Sequence, residues 1–207
     1  MYLYVFNTST FHKEEAVITC GSAIKLEHIE SGGKYFLHSP NTNWSSNGGS
    51  GQRSVTLIED KSDPDSLWLV KEADGMPPCS TGSSIHCGDQ IRLEHTNGQQ
   101  NLHSHHFQSP LSKQQEISLF GTEGKGDDGD DWTVVCDKNY WQRNEPVRLL
   151  HTETGRFLGA TRSKKFDQTN CGMGCPIEGH LEAFGLRAYA NDKRPEFKAT
   201  HGLYVQA

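Results

Sequence analysis

The sequence predicts an all-β chain folded as a β-trefoil with pseudo-threefold symmetry and twelve short strands, because one block of residues recurs three times along its 207 residues. The block Ile91-Arg92-Leu93-Glu94-His95, a glycine turn and Asn101-Leu102-His103-Ser104 occurs earlier as Ile24-Lys25-Leu26-Glu27-His28, Gly32-Gly33 and Phe36-Leu37-His38-Ser39. It occurs again as Val147-Arg148-Leu149-Leu150-His151, Gly155 and Phe157-Leu158. Leu26, Leu93 and Leu149 thus mark units of roughly 60 residues.

Each element follows from local pattern. The first strand of each unit alternates apolar with polar residues, as in Ile24 and Leu26 against Lys25 and Glu27, which is the period of a half-buried strand. The second strand follows a short turn, of which Asn97-Gly98 is the strongest hairpin signal. A third strand is expected at residues 52–57, 114–119 and, more loosely, 178–183. A fourth closes each unit at Leu67-Trp68-Leu69-Val70, Asp131-Trp132-Thr133-Val134-Val135 and Glu196-Phe197-Lys198-Ala199. Three units of four strands suit a closed barrel capped by three hairpins, which leaves no sheet edge exposed, with a β-sandwich as the competing architecture. No stretch of ten residues carries a helical stripe. Residues 1–16 are expected to lie outside the core, and a single domain over 17–205 divides into units at about 17–80, 81–138 and 139–205.

Composition bounds the function. Hydrophobic content is 33 %, there are 21 glycines, and the formal charge is −6, which argues against nucleic acid or an anionic membrane as the main partner, since both favour a basic face. No apolar run is long enough to cross a bilayer, and the opening Met1–Phe6 is too short for a secretory leader. Six cysteines and two Asn-x-Ser/Thr sequons, at Asn7 and Asn43, favour an oxidising secretory compartment. Position along the repeat suggests Cys20–Cys136, Cys79–Cys87 and Cys171–Cys175 as the disulfides. A zinc site at Cys171 and Cys175 with His180 is the rival, but a structural site needs four ligands and no second cysteine pair matches that spacing.

Eleven histidines raise the question of catalysis, yet Gly-x-Ser-x-Gly and His-Glu-x-x-His are absent. His28, His95 and His151 recur at one strand position, which is what a structural role predicts. The acidic run Asp127–Asp131 lacks the spacing of a calcium loop and reads as a solvated turn before Trp132. The chain is therefore expected to be non-catalytic, with no metal and no cofactor.

The strand Ile-Arg-Leu-x-His, the Leu-His-Ser after its turn, the downstream Gln-Gln-Glu-Ile-Ser and the closing Trp resemble the MIR motif. Three such units, with Thr19-Cys20-Gly21-Ser22 at the start and Asn101–Ser112 in the middle, are similar to the stromal cell-derived factor 2 family. The resemblance implies a lumenal protein of the endoplasmic reticulum, induced when unfolded proteins accumulate. It implies partners too: J-domain co-chaperones, the lumenal Hsp70 and misfolded clients. Members often end in a Lys/His-Asp-Glu-Leu retention signal, whereas this chain ends Tyr204-Val205-Gln206-Ala207. The third unit departs from the motif in having Gly159-Ala160 for His-Ser and Phe197 for Trp.

A protein-binding or glycan-binding surface is expected around Trp44, His103, His105, His106 and Phe107, with Tyr140 and Trp141 at the junction of the second and third units, while Trp68 and Trp132 belong to the core. A lectin-like, mannose- or glycan-binding module is the alternative, since sugars stack on aromatic rings. Against it, Gln52 and Gln114-Gln115 have no counterpart at Glu178-Gly179, and no ricin-type Gln-x-Trp occurs.

Overall fold

The computed structural model describes residues 17–45 and 49–206, so Asn7 and the expected extension 1–16 lie outside the described residues. Among the described residues the chain is all-β, with one helical turn, α1 (Gln168–Cys171), and two 3-10 turns at Pro64–Ser66 and Asp128–Asp130. The first unit contains β1 (Ala23–His28), β2 (Phe36–His38), β3 (Arg53–Ser54), β4 (Thr56–Ile58) and β5 (Trp68–Glu72). The second contains β6 (Gln90–His95), β7 (Gln100–Gln108), β8 (Gln115–Phe120) and β9 (Trp132–Val135). The third contains β10 (Arg148–His151), β11 (Phe157–Gly159), β12 (Leu181–Glu182), β13 (Phe184–Leu186) and β14 (Phe197–Leu203).

Fourteen strands stand among the described residues where twelve are expected, because the third strand of two units is interrupted, at Val55 and at Ala183. The interruption marks a change of partner. β3 pairs with β8, whereas β4 pairs with β2 and β12; likewise β12 pairs with β4, whereas β13 pairs with β11 and β8. Val55 and Ala183 are both fully buried, each at the point where its strand leaves one neighbour for the next. In the second unit β8 serves both neighbours without a break.

The first and last strands of the units form a ring. β1 pairs with β5, β5 with β6, β6 with β9 and β9 with β10, and the bridge Val147↔Phe197 leads to β14, which pairs back to β1. The second and third strands form three hairpins that pair with one another across the unit boundaries. Leu26, Leu93 and Leu149, the repeated apolar residues of the first strands, are fully buried together with Trp68, Trp132 and Phe197 of the last strands. This shared core is what makes three marginal units one stable body.

The three repeated histidines are part of that core. His28, His95 and His151 are fully buried. Their Nε2 atoms donate to the carbonyl oxygens of Arg194 (2.9 Å), Asp65 (3.1 Å) and Gly129 (2.8 Å). Their rings lie against Phe197, Trp68 and Trp132 at 5.0, 5.4 and 4.9 Å. Each therefore ties the end of a first strand to the turn or loop that precedes a last strand.

Two expected disulfides are corrected. Cys20 pairs with Cys79 and Cys87 with Cys136, and Cys171 pairs with Cys175. The chain after Cys79 runs back along the residues ahead of β1, with Cys20 N–H donating to Ser83 O, Gly82 N–H to Cys20 O and Ile85 N–H to Ile18 O. Gly88 N–H donates to Val134 O in the same way, which brings Cys87 beside Cys136. Each of these bonds closes one repeat unit upon itself.

The acidic run is also not a solvated turn throughout. Asp127 caps the 3-10 turn 128–130, while Asp130 is fully buried and Asp131 nearly so, the latter accepting from Asp74 N–H at 2.8 Å.

Candidate functional site

The expected surface residues separate into two groups. Trp44 is buried, its indole N–H donating to Ile117 O at 2.7 Å and its ring packing on Phe166 in a small second apolar cluster with Cys175 and Ile177. Trp141 is buried completely because its backbone bridges Ile18 and Ile85 across the unit junction. His103 is buried as well, its Nδ1 bonded at 2.9 Å to Asp130. None of these three is an exposed contact residue. His106 and Phe107 are exposed, with Phe107 at 48 %, and Tyr140 is partly exposed beside His86. Asn43 is exposed.

A bulge accounts for the exposure of Phe107. β7 and β8 pair from Asn101 to Ser104 and again at Gln108↔Gln115, so β7 carries extra residues between Ser104 and Gln108. The extra length lifts His105, His106 and Phe107 off the ladder, as bulges do. A groove of about 320 Å³ lies on one side, lined by Trp44, Gln108, Pro110, Lys113 and Glu116 among others. A second, of about 170 Å³, lies among His106, Phe107, Lys113, Gln115 and Arg156.

Two buried carboxylates that sequence reasoning missed hold the loops around these grooves. Glu116 accepts from Ser50 through its hydroxyl and, at 3.3 Å, its N–H, and pairs with His105 Nε2 at 3.2 Å. Glu182 accepts the N–H groups of Leu111 (2.6 Å) and Ser112 (2.8 Å), while its burial pushes its carboxyl pKa up. Both occupy strand positions that in the sequence look like solvated charges.

Two clusters combine a histidine with two aspartates: His38 with Asp63 and Asp65, and His103 with Asp127 and Asp130. They occupy equivalent places in the first and second units, between the second strand and the turn before the last. The third unit has Ala160 in place of the serine and Gly159 in place of the histidine, and no such cluster occurs there among the described residues. Nothing in either cluster pairs an activated nucleophile with a base.

The repeats thus present hairpins and grooves on a rigid core, and their type is identifiable: residues 65–140 match the MIR domain model. Stromal cell-derived factor 2 from Bos taurus is 40 % identical over 191 residues, covering 92 % of this chain and 83 % of that protein. The chain belongs to the stromal cell-derived factor 2 family. The crystal structure of the SDF2-like protein from Arabidopsis thaliana is similar with a TM-score of 0.81 at 33 % identity, covering 92 % of this chain and 98 % of that one. A S. cerevisiae protein O-mannosyltransferase Pmt1-Pmt2 complex bound to the sugar donor shares the fold at a TM-score of 0.73 and 24 % identity, over 95 % of this chain and 27 % of that one. No catalytic family is indicated.

Proposed function

We propose that this chain is a single β-trefoil domain over residues 17–205 that acts as a non-catalytic, protein-binding adaptor in chaperone complexes of the endoplasmic reticulum lumen. The six-strand ring and three mutually paired hairpins support the trefoil. Membership of the stromal cell-derived factor 2 family supports the J-domain co-chaperone, the lumenal Hsp70 and misfolded clients as partners. Three disulfides suit an oxidising compartment, either the lumen or the secreted space, and exposed Asn43 is its N-glycan acceptor.

One observation carries the adaptor reading: Phe107 stands 48 % exposed on the β7 bulge, an aromatic anchor that lines the smaller groove among polar side chains. The mixed lining of the larger groove, Trp44 and Pro110 beside Glu116, Gln108 and Lys113, favours a glycan as the second reading. Affinity capture from an endoplasmic reticulum lysate, with free mannose in parallel, separates the two. The adaptor reading expects a J-domain protein and lumenal Hsp70, retained in mannose and lost with Phe107→Ala. Glycoproteins eluted by mannose would replace it with the lectin reading.

A further inference from the structure

Two side chains of the first unit are buried at one place without hydrogen-bond partners. His38 is 5 % exposed; its Nδ1 has no partner, and its Nε2 faces Asp63 Oδ2 at 3.7 Å, beyond hydrogen-bond length. The Ser66 hydroxyl is likewise buried and unpartnered. The second unit shows what the first lacks. There His103 holds the matching position, and its ring is bonded to Asp130, the buried residue just ahead of Asp131 and Trp132. Ser66 occupies that place ahead of Leu67 and Trp68, and its hydroxyl makes no hydrogen bond to the imidazole. The first unit retains the histidine without its carboxylate.

What His38 faces instead is a pair of carboxylates on the turn before β5. The ligand atoms of His38, Asp63 and Asp65 all lie within 4.8 Å of one another. The aspartate side chains are 30 % and 32 % exposed, so the cluster opens to solvent on one side.

We propose that His38, Asp63 and Asp65 form a binding site for a divalent first-row transition ion such as zinc, completed by water. One imidazole nitrogen with two carboxylate oxygens is a mixed N/O donor set, which suits zinc or cobalt better than calcium or magnesium, whose sites are built from oxygen. In a tetrahedron with bonds of about 2.0–2.1 Å the ligand atoms stand about 3.4 Å apart. The 3.7 Å between His38 and Asp63 therefore needs only a small contraction. Burial pushes the His38 pKa down to about 4, so its ring is neutral at neutral pH and offers a lone pair.

The surroundings orient the ligands. Asp63 Oδ1 caps the turn by accepting Asp65 N–H at 2.8 Å, which leaves Oδ2 toward His38, and Asn97 donates to Asp65 Oδ1 at 2.8 Å. His95 Nε2 lies 3.6 Å from Asp65 Oδ1 but already donates to the Asp65 carbonyl oxygen, so it positions the loop. Lys25 donates to the carbonyl oxygens of Lys61 and Asp63, which fixes the same loop from the other side. The sister cluster in the second unit differs in that its buried carboxylate is already engaged: Asp130 accepts from His103, Asn101 and Asp127.

The test uses the whole chain with its disulfides intact, stripped with a chelator and titrated with zinc chloride by calorimetry and with cobalt chloride by visible absorption. One zinc per chain is expected, together with a cobalt spectrum of low coordination number. Asp65→Asn and Asp63→Asn should each weaken zinc by at least about tenfold. His38→Gln should remove the nitrogen donor from the cobalt spectrum, and Asp127→Asn should leave the isotherm unchanged. Near-ultraviolet circular dichroism checks each fold, and Asp65→Asn, at a partly exposed position, decides the matter if His38→Gln does not fold. No zinc binding by the parent chain, or binding that both aspartate variants leave intact, overturns the site.

Discussion

The indole N–H of Trp68 donates to the carbonyl oxygen of Leu37 at 3.0 Å, and Trp132 repeats the bond onto Leu102 O at 2.8 Å. Each tryptophan thus fastens the last strand of its unit to the second, inside the shared core. Trp68→Phe keeps most of the apolar volume but leaves the buried Leu37 carbonyl without that donor. The expected loss is about 2–4 kcal/mol, from the unmade bond and the residual cavity together. Urea denaturation measures it, and an unchanged midpoint would show that the bond contributes nothing.

The disulfides make a second prediction. Cys87–Cys136 spans 49 residues and Cys171–Cys175 only 4. Chain entropy then assigns about 4 kcal/mol to the longer link and about 2 kcal/mol to the shorter. Replacing Cys87 and Cys136 by serine should lower the melting temperature markedly more than replacing Cys171 and Cys175. Equal losses would mean that strain or residual structure outweighs loop length.

Most of the fold was legible in the repeats, because each strand shows its burial by alternation and three copies reinforce a pattern that one copy leaves ambiguous. The disulfide pairing was legible too, in a signal that position along the chain obscured: Cys20 and Cys87 stand at the same distance ahead of Leu26 and Leu93, so symmetry assigns each a partner within its own unit. The exposure of aromatics was not legible. Trp44 and Phe107 both look like loop residues, and only the bulge in β7 and the close approach of Phe166, far along the chain, decide that the first is buried and the second exposed. Buried carboxylates such as Asp130, Glu116 and Glu182 were hidden for a related reason: a charged side chain enters the interior only where several donors converge, and most of those donors, such as Asn101 and His103 for Asp130 or Leu111 and Ser112 for Glu182, are remote in sequence.

Asp130 shows how much such convergence is worth. Its fully buried carboxylate accepts from His103 Nδ1 at 2.9 Å, Asn101 Nδ2 at 3.0 Å and Asp127 N–H at 3.1 Å. Asp130→Asn preserves the shape but places an amide donor among donors, so the chain should lose about 1–3 kcal/mol or more. Asp127→Asn, at a half-exposed cap, should cost about 1 kcal/mol or less. Guanidinium denaturation of both variants checks the order, and a reversal would deny Asp130 its part in holding the second hairpin to its unit.

Stability should fall as the solution is acidified below neutrality. Burial lowers the pKa of His28, His38, His95, His151 and His180, with His38 and His180 both pushed down to about 4. Asp63 faces both of those rings and opposes the shift, Asp65 does so at His38, and His95 and His180 reinforce it there. In the unfolded chain these rings take up protons near pH 6.5, whereas in the folded chain they remain neutral to lower pH, so the unfolded state binds more protons in between. The stabilisation is complete above about pH 6.5 and is lost as the pH falls toward about 4. Glu182, Asp127 and Asp131, whose carboxyl pKa values are raised by burial, act in the opposite sense. The net loss should be on the order of a few kcal/mol, because solvent screens the half-buried His180. Differential scanning calorimetry between about pH 7 and pH 5 should show a falling melting temperature, with a shallower slope in His180→Gln. A flat profile in the parent chain would mean that these rings are protonated in the folded state after all, and that the buried histidines do not set its acid sensitivity.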